Sequence, residues 1–184
     1  EELIELFSLN NLNKSSSIFD YKKLHSLNKY FLKELDVYDI YKEFIRLTDD
    51  FNCFSEDKII EIIEAQRDRC KTIAQIINES QFFINKDISI ENKLSEKYFN
   101  QDNLSIFNNL YTKLDNLDKW NINNIKDVID MVIHELNIDT PKFAKPVRVA
   151  LTGVLSSPSI DLTIYLLGKE TCLQRILSAK TLIT

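Results

Sequence analysis

Apolar residues between Tyr21 and Leu35 fall at Leu24, Leu27, Tyr30, Phe31 and Leu35, spacings of three and four that predict an amphipathic helix. Val37, Ile40, Tyr41, Phe44 and Ile45 predict a second helix directly after it. Past a loop at 48–54, Ser55 stands where an N-cap belongs, Glu56 and Asp57 suit the positive end of a helix, and Ile59, Ile60, Ile62 and Ile63 follow. The run from Gln66 to Thr72 breaks that rhythm with Arg67, Arg69 and Lys71, before Ile73, Ile76 and Ile77 restart a helix that ends near Phe82 and Phe83.

The polar stretch 85–92 interrupts two periodic blocks without a core face of its own, and a domain boundary is placed there. One helix is predicted over 93–116, and another carries Ile122, Ile125, Val128, Ile129, Val132, Ile133 and Leu136 on a single stripe. Thr140-Pro141 reads as an N-cap with proline at the first helical position and Gly153 as the stop of that helix. Ser157-Pro158 repeats the start signal, Gly168 the stop, and 169–181 forms a closing helix. No repeat at solenoid periods is present, so the expectation is all-α, as two consecutive helical bundles.

Composition narrows this further. Two glycines and three prolines in 184 residues leave little turn chemistry for a sheet-rich fold or a glycine-cradled phosphate site. The net charge of −5 excludes whole-surface attraction to nucleic acid but permits a local basic stripe. Cys53, Cys70 and Cys172 form no CxxC pair, so neither a disulfide framework nor a zinc site is indicated, and a reducing cytoplasm is the expected setting. No run approaches the roughly 20 apolar residues of a membrane span. The opening Glu1-Glu2-Leu3 has no basic n-region and no initiator Met, which reads as a piece of a longer chain.

Catalytic chemistry has no visible seat. His25 and His134 are the only histidines and neither belongs to a triad or metal-ligand spacing. GxxxxGK[ST], GxGxxG and GxSxG are all absent. No metal, no cofactor and no catalytic residue is expected in this chain.

Three segments carry more information. The first is Asn13-Lys14-Ser15-Ser16-Ser17-Ile18-Phe19-Asp20 with Lys23-Leu24 and Leu27-Asn28 after it. The second is Arg69-Cys70-Lys71-Thr72-Ile73 followed by Ser80-Gln81-Phe82-Phe83. The third runs from Lys145-Pro146-Val147-Arg148-Val149-Ala150-Leu151-Thr152-Gly153 through Ser157-Pro158 to Leu167-Gly168-Lys169-Glu170. In this order they resemble the C-terminal region of bacterial-type, class I glutamyl-tRNA synthetases. The HIGH and KMSKS signatures of that family's ATP site are missing, and Asn13-Lys14-Ser15-Ser16 does not replace them.

The resemblance implies an anticodon-binding part: residues 1–35 ending a stem-contacting domain, 36–92 a first bundle and 93–184 a second. It implies tRNA(Glu) as partner of a monomeric cytoplasmic protein that contacts neither DNA nor membrane. ATP and Mg2+ would belong to the parent's catalytic domain, and the chain alone would be inactive. Arg69, Arg148, Ser157 and Lys145 would contact the anticodon, Arg69 at its third base, while Lys14, Lys71 and Lys142 would reach the backbone. Read from residue chemistry alone, alternatives stay open. Arg69 could simply be solvated beside Arg67 and Lys71, all pairing with Glu64 and Asp68; Arg148 could be a surface cation; Ser157 could be only a cap. The rival function is a helical protein-interaction module that docks an apolar stripe without RNA, distinguishable by its weak response to salt.

Overall fold

A computed structural model describes residues 18–183. Every regular element among them is helical: α1 (Tyr21–Glu34), α2 (Val37–Leu47), α3 (Glu56–Arg67), α4 (Ile73–Glu79), a 3₁₀ turn (Gln81–Phe83), α5 (Asn92–Tyr98), α6 (Gln101–Asp115), α7 (Ile122–Glu135), α8 (Thr140–Thr152), α9 (Ile160–Leu167) and α10 (Lys169–Thr181). The all-α expectation is met. Short polar residues satisfy the unpaired N–H groups where several of these helices start. Asp20 accepts from Lys22 and Lys23, Asp36 from Tyr38, Ser55 from Lys58, Thr72 from Gln75, and Asn121 from Asn124. Gly153 and Gly168 end α8 and α9 with φ of 78° and 83°, a region that L side chains avoid.

Three local expectations need correction. The helix predicted over 93–116 is two helices, because Phe99 leaves helical geometry (φ −106°, ψ 74°) to bury its ring edge-on against Phe107, 5.9 Å between centroids. Asn100 then starts α6 from an extended conformation. The cap of α8 is Asp139, which accepts from Lys142 N–H at 2.8 Å, so Thr140 and Pro141 lie inside the first turn. α9 starts at Ile160 rather than at Ser157-Pro158.

Two apolar cores divide the chain. One gathers Ile40, Phe44, Ile59, Ile63 and Ile76 from α2, α3 and α4 and Phe51 from the turn between α2 and α3, with Phe44 edge-on to Phe51 at 5.0 Å. The other is built by α5 through α10, around residues such as Phe107, Ile125, Val132, Phe143, Val147 and Ile176. α3 is the wall between them: Ile59 and Ile63 face the first core, while Ile62 joins the second together with Phe82 and Phe83. The α3–α9 seam is completed by Tyr165, whose hydroxyl donates to Glu61 at 3.3 Å and whose ring lies under the Lys58 ammonium.

α1 behaves differently from its pattern. Leu24, Leu27, Tyr30, Phe31 and Leu35 remain exposed, and Leu32 is the residue that is buried. Periodicity reports that a face is suited to burial, and nothing among the described residues covers this one.

Candidate nucleic-acid interface

Two arginines from opposite sides of the α3–α9 seam converge on one dipeptide. Arg69 lies just beyond α3, half-buried, and its Nη2 donates to Ser156 Oγ at 2.6 Å. Arg148, half-buried on α8, donates from Nε to Ser157 Oγ at 2.9 Å. Adjacent serines therefore tie the two guanidiniums to the same point of the loop between α8 and α9.

Each side of the pair is held from below. Gln66 is fully buried at a position of α3 where the apolar rhythm calls for a hydrophobic residue. Its amide N–H donates to the Glu79 carbonyl at 2.9 Å, which leaves its oxygen to accept from Arg69 Nη1 at 2.9 Å. Ser157, 9% exposed, donates onward to the Pro158 carbonyl at 3.0 Å and lies 3.2 Å from the hydroxyl of buried Thr163. It is thus a support for Arg148 rather than a helix cap, because α9 begins later and its hydroxyl is turned into the loop. No motif marks Gln66, Ser156 or Thr163. A lone glutamine on the Ile59–Ile63 face was the one available signal.

The electrostatics of the pair are unusual for a protein of this charge. Burial, and after it the neighbouring Arg69, pulls the Arg148 guanidinium below its ordinary pKa. Among the described residues neither arginine forms an ion pair with a carboxylate. The surface ion pairs expected for this segment form just before Arg69: Arg67 pairs with Glu64 at 3.0 Å and Asp68 with Lys33 at 3.4 Å. Arg69 is outside them.

Lys145 and Lys142 stand exposed on α8, one and two turns before Arg148, so the three cations share a ridge. Lys71 is exposed too, but it borders the groove between α1 and α4 rather than the arginine pair. Lys14 lies outside the described residues, as does the Asn13–Ser17 part of the first motif. Lys169 proves structural, donating to the carbonyls of Asp115 (2.6 Å) and Leu117 (3.2 Å) past the end of α6. His25 and His134 are exposed, and no cluster of metal-ligating side chains forms among the described residues. No described helix is long and apolar enough to cross a membrane.

A guanidinium is a donor-only planar fork, so two of them unpaired with any carboxylate among the described residues present a surface suited to base-edge acceptors or phosphate oxygens. Half-burial lowers solvent screening there and makes each such bond stronger than at a fully wetted surface. Exposed Val154 and Leu155 add an aliphatic rim at the same loop.

Comparison with known proteins points the same way. Residues 24–180 match the anticodon binding domain family. The glutamate–tRNA ligase of Wigglesworthia glossinidia brevipalpis is 34% identical over 96% of this chain, which corresponds to 38% of that protein's length. Two solved structures share the fold at 24% identity. A glutamate–tRNA ligase of Elizabethkingia meningosepticum in complex with its amino acid has a TM-score of 0.82, over 95% of this chain and 35% of that one. The glutamate–tRNA synthetase of Elizabethkingia anophelis has a TM-score of 0.79, over 95% and 34%.

Proposed function

Because this chain belongs to the anticodon binding domain family, we propose that it reads the anticodon of tRNA(Glu) on behalf of a longer protein that joins glutamate to that tRNA with ATP and Mg2+. The chain spans about 38% of the curated relative it matches, and the residues of an ATP site are not among those it carries. It acts as the recognition part and does not aminoacylate alone.

The observation that carries this reading is the convergence of Arg69 and Arg148 on Ser156-Ser157, with no carboxylate among the described residues paired to either. Single-stranded bases are recognised by splaying them out, stacking them on planar groups and bonding their Watson–Crick edges. Two oriented guanidiniums and an aliphatic rim supply those elements, and Lys142 and Lys145 extend the ridge toward backbone phosphates. The uncovered stripe on α1 fits contact with a preceding stem-contacting part, so that the two bundles begin after residue 35.

The test is binding of a tRNA(Glu) transcript and of transcripts with altered anticodons. Arg148→Ala should weaken the cognate transcript by roughly 1–3 kcal/mol and the altered ones less. Equal losses for all transcripts would make Arg148 a phosphate contact, and no loss would remove it from the interface.

A further inference from the structure

Arg175 is a buried cation on α10, one helix beyond the serine loop, and it forms no ion pair among the described residues, although Asp87 is near enough to favour its charge. Its Nη2 donates to the carbonyls of Phe82 (2.8 Å) and Asn85 (2.6 Å), and its Nη1 donates to the carbonyl of Leu151. These acceptors come from two bodies. Phe82 and Asn85 belong to the 3₁₀ turn and the segment leaving it, whereas Leu151 is in the last turn of α8, three residues after Arg148.

We infer that Arg175 is a positioning residue for anticodon reading, fixing the separation of Arg69 and Arg148 by clamping the segment after α4 to the end of α8. This rests on the reading of the arginine pair as the anticodon interface. On one side, the chain that ends at Phe82 begins at the Glu79 carbonyl that orients Gln66, which in turn orients Arg69. On the other, Leu151 leads directly into Gly153 and the serine loop. A second close approach lies in the same seam: a Cβ on Gly153 would sit 2.5 Å from the Ser89 carbonyl, so only glycine lets the 85–89 segment lie against this turn. The planar fork explains the residue type. It reaches three carbonyls at fixed angles, which a point-charge ammonium does not reproduce.

The experiment compares two transcripts of tRNA(Glu), one natural and one with the third anticodon base changed from cytosine to guanine, on the full-length protein. The readout is the ratio of their Kd values in wild type, Arg175→Met, Arg175→Lys and Gly153→Ala, with helical circular dichroism recorded for each. Arg175→Met should reduce the ratio by about tenfold, the scale of one Arg–base contact, with Arg175→Lys intermediate and Gly153→Ala also reduced. A role confined to stability would lower the melting temperature and leave the ratio of the folded variant unchanged. A wild-type ratio in any folded Arg175 variant overturns the inference, as does failure of every variant to fold, which would assign Arg175 to global stability. If the wild-type protein itself does not discriminate the transcripts, the anticodon reading fails first and the clamp falls with it.

Discussion

At Arg69 the chemistry of a single side chain predicts a preference between tRNAs. Cytosine presents two adjacent acceptors, N3 and O2, on its Watson–Crick edge, whereas guanine presents two donors and one acceptor, and a guanidinium can only donate. With its orientation set by Gln66, Arg69 should favour tRNA(Glu), whose anticodon ends in cytosine, over tRNA(Gln), whose anticodon ends in guanine, by about 1–3 kcal/mol. Charging of both tRNAs by the full-length protein checks this. Arg69→Gln, with both a donor and an acceptor, should narrow the gap, and comparable charging by the wild type would refute it. The cysteines give a second prediction at this scale. Burial pushes the Cys70 thiol up to about 11 and Cys172 to about 12, from an ordinary 9.0. Their folded pKa values lie above the unfolded ones, so the folded state holds protons the unfolded state releases. The corresponding stability is complete below pH 9 and disappears as pH rises through 11 and 12. Urea midpoints should therefore fall more steeply above pH 9 in the wild type than in Cys70→Ala/Cys172→Ala. In native protein at neutral pH, a thiol reagent should modify exposed Cys53 alone of the three.

Among the elements, legibility followed periodicity. The stripe of α7 is explicit in the sequence, and Ile125, Val128, Ile129 and Val132 are buried as it requires, while Ile122 at its start stays exposed. Ile129→Asp leaves an unpaired charge in that core and should destabilise by several kcal/mol, and an unchanged melting temperature would show the stripe to be surface. Starts and stops at Ser55, Gly153 and Gly168 were equally readable, because each is dictated by local backbone geometry. What could not be read were decisions made by tertiary contacts. Phe99 breaks a helix because its ring gains a place against Phe107, and no local residue announces that. Ser157 carried a sound cap signature yet turned inward, since Arg148 and Thr163 compete for its hydroxyl. The arginines themselves were visible as motif residues, but their convergence is a relation between positions 87 apart, as the Arg69–Ser156 bond shows.

For the whole molecule, the net charge of −5 means that the proposed RNA affinity has to be local. Exposed Lys142 and Lys145 lie on the ridge that ends at Arg148, and each should contribute to phosphate contact without reading sequence. Lys145→Ala should weaken binding uniformly across anticodons and reduce the slope of log Kobs against log salt by about 1. An unchanged slope would place Lys145 outside the contact. The seam held by Arg175 has a consequence for how the protein comes to be. Its bonds join positions 90 and 93 apart, while helices and many of their neighbours form from nearby sequence. Closing so long a loop carries an entropic cost that short-range contacts avoid. During synthesis, both bundles can gain most of their helices while α10 is still unmade. The two arginines proposed to read the anticodon would then be present but not yet in register, and the proposed competence would arrive late, with the final described helix, as a single cooperative event.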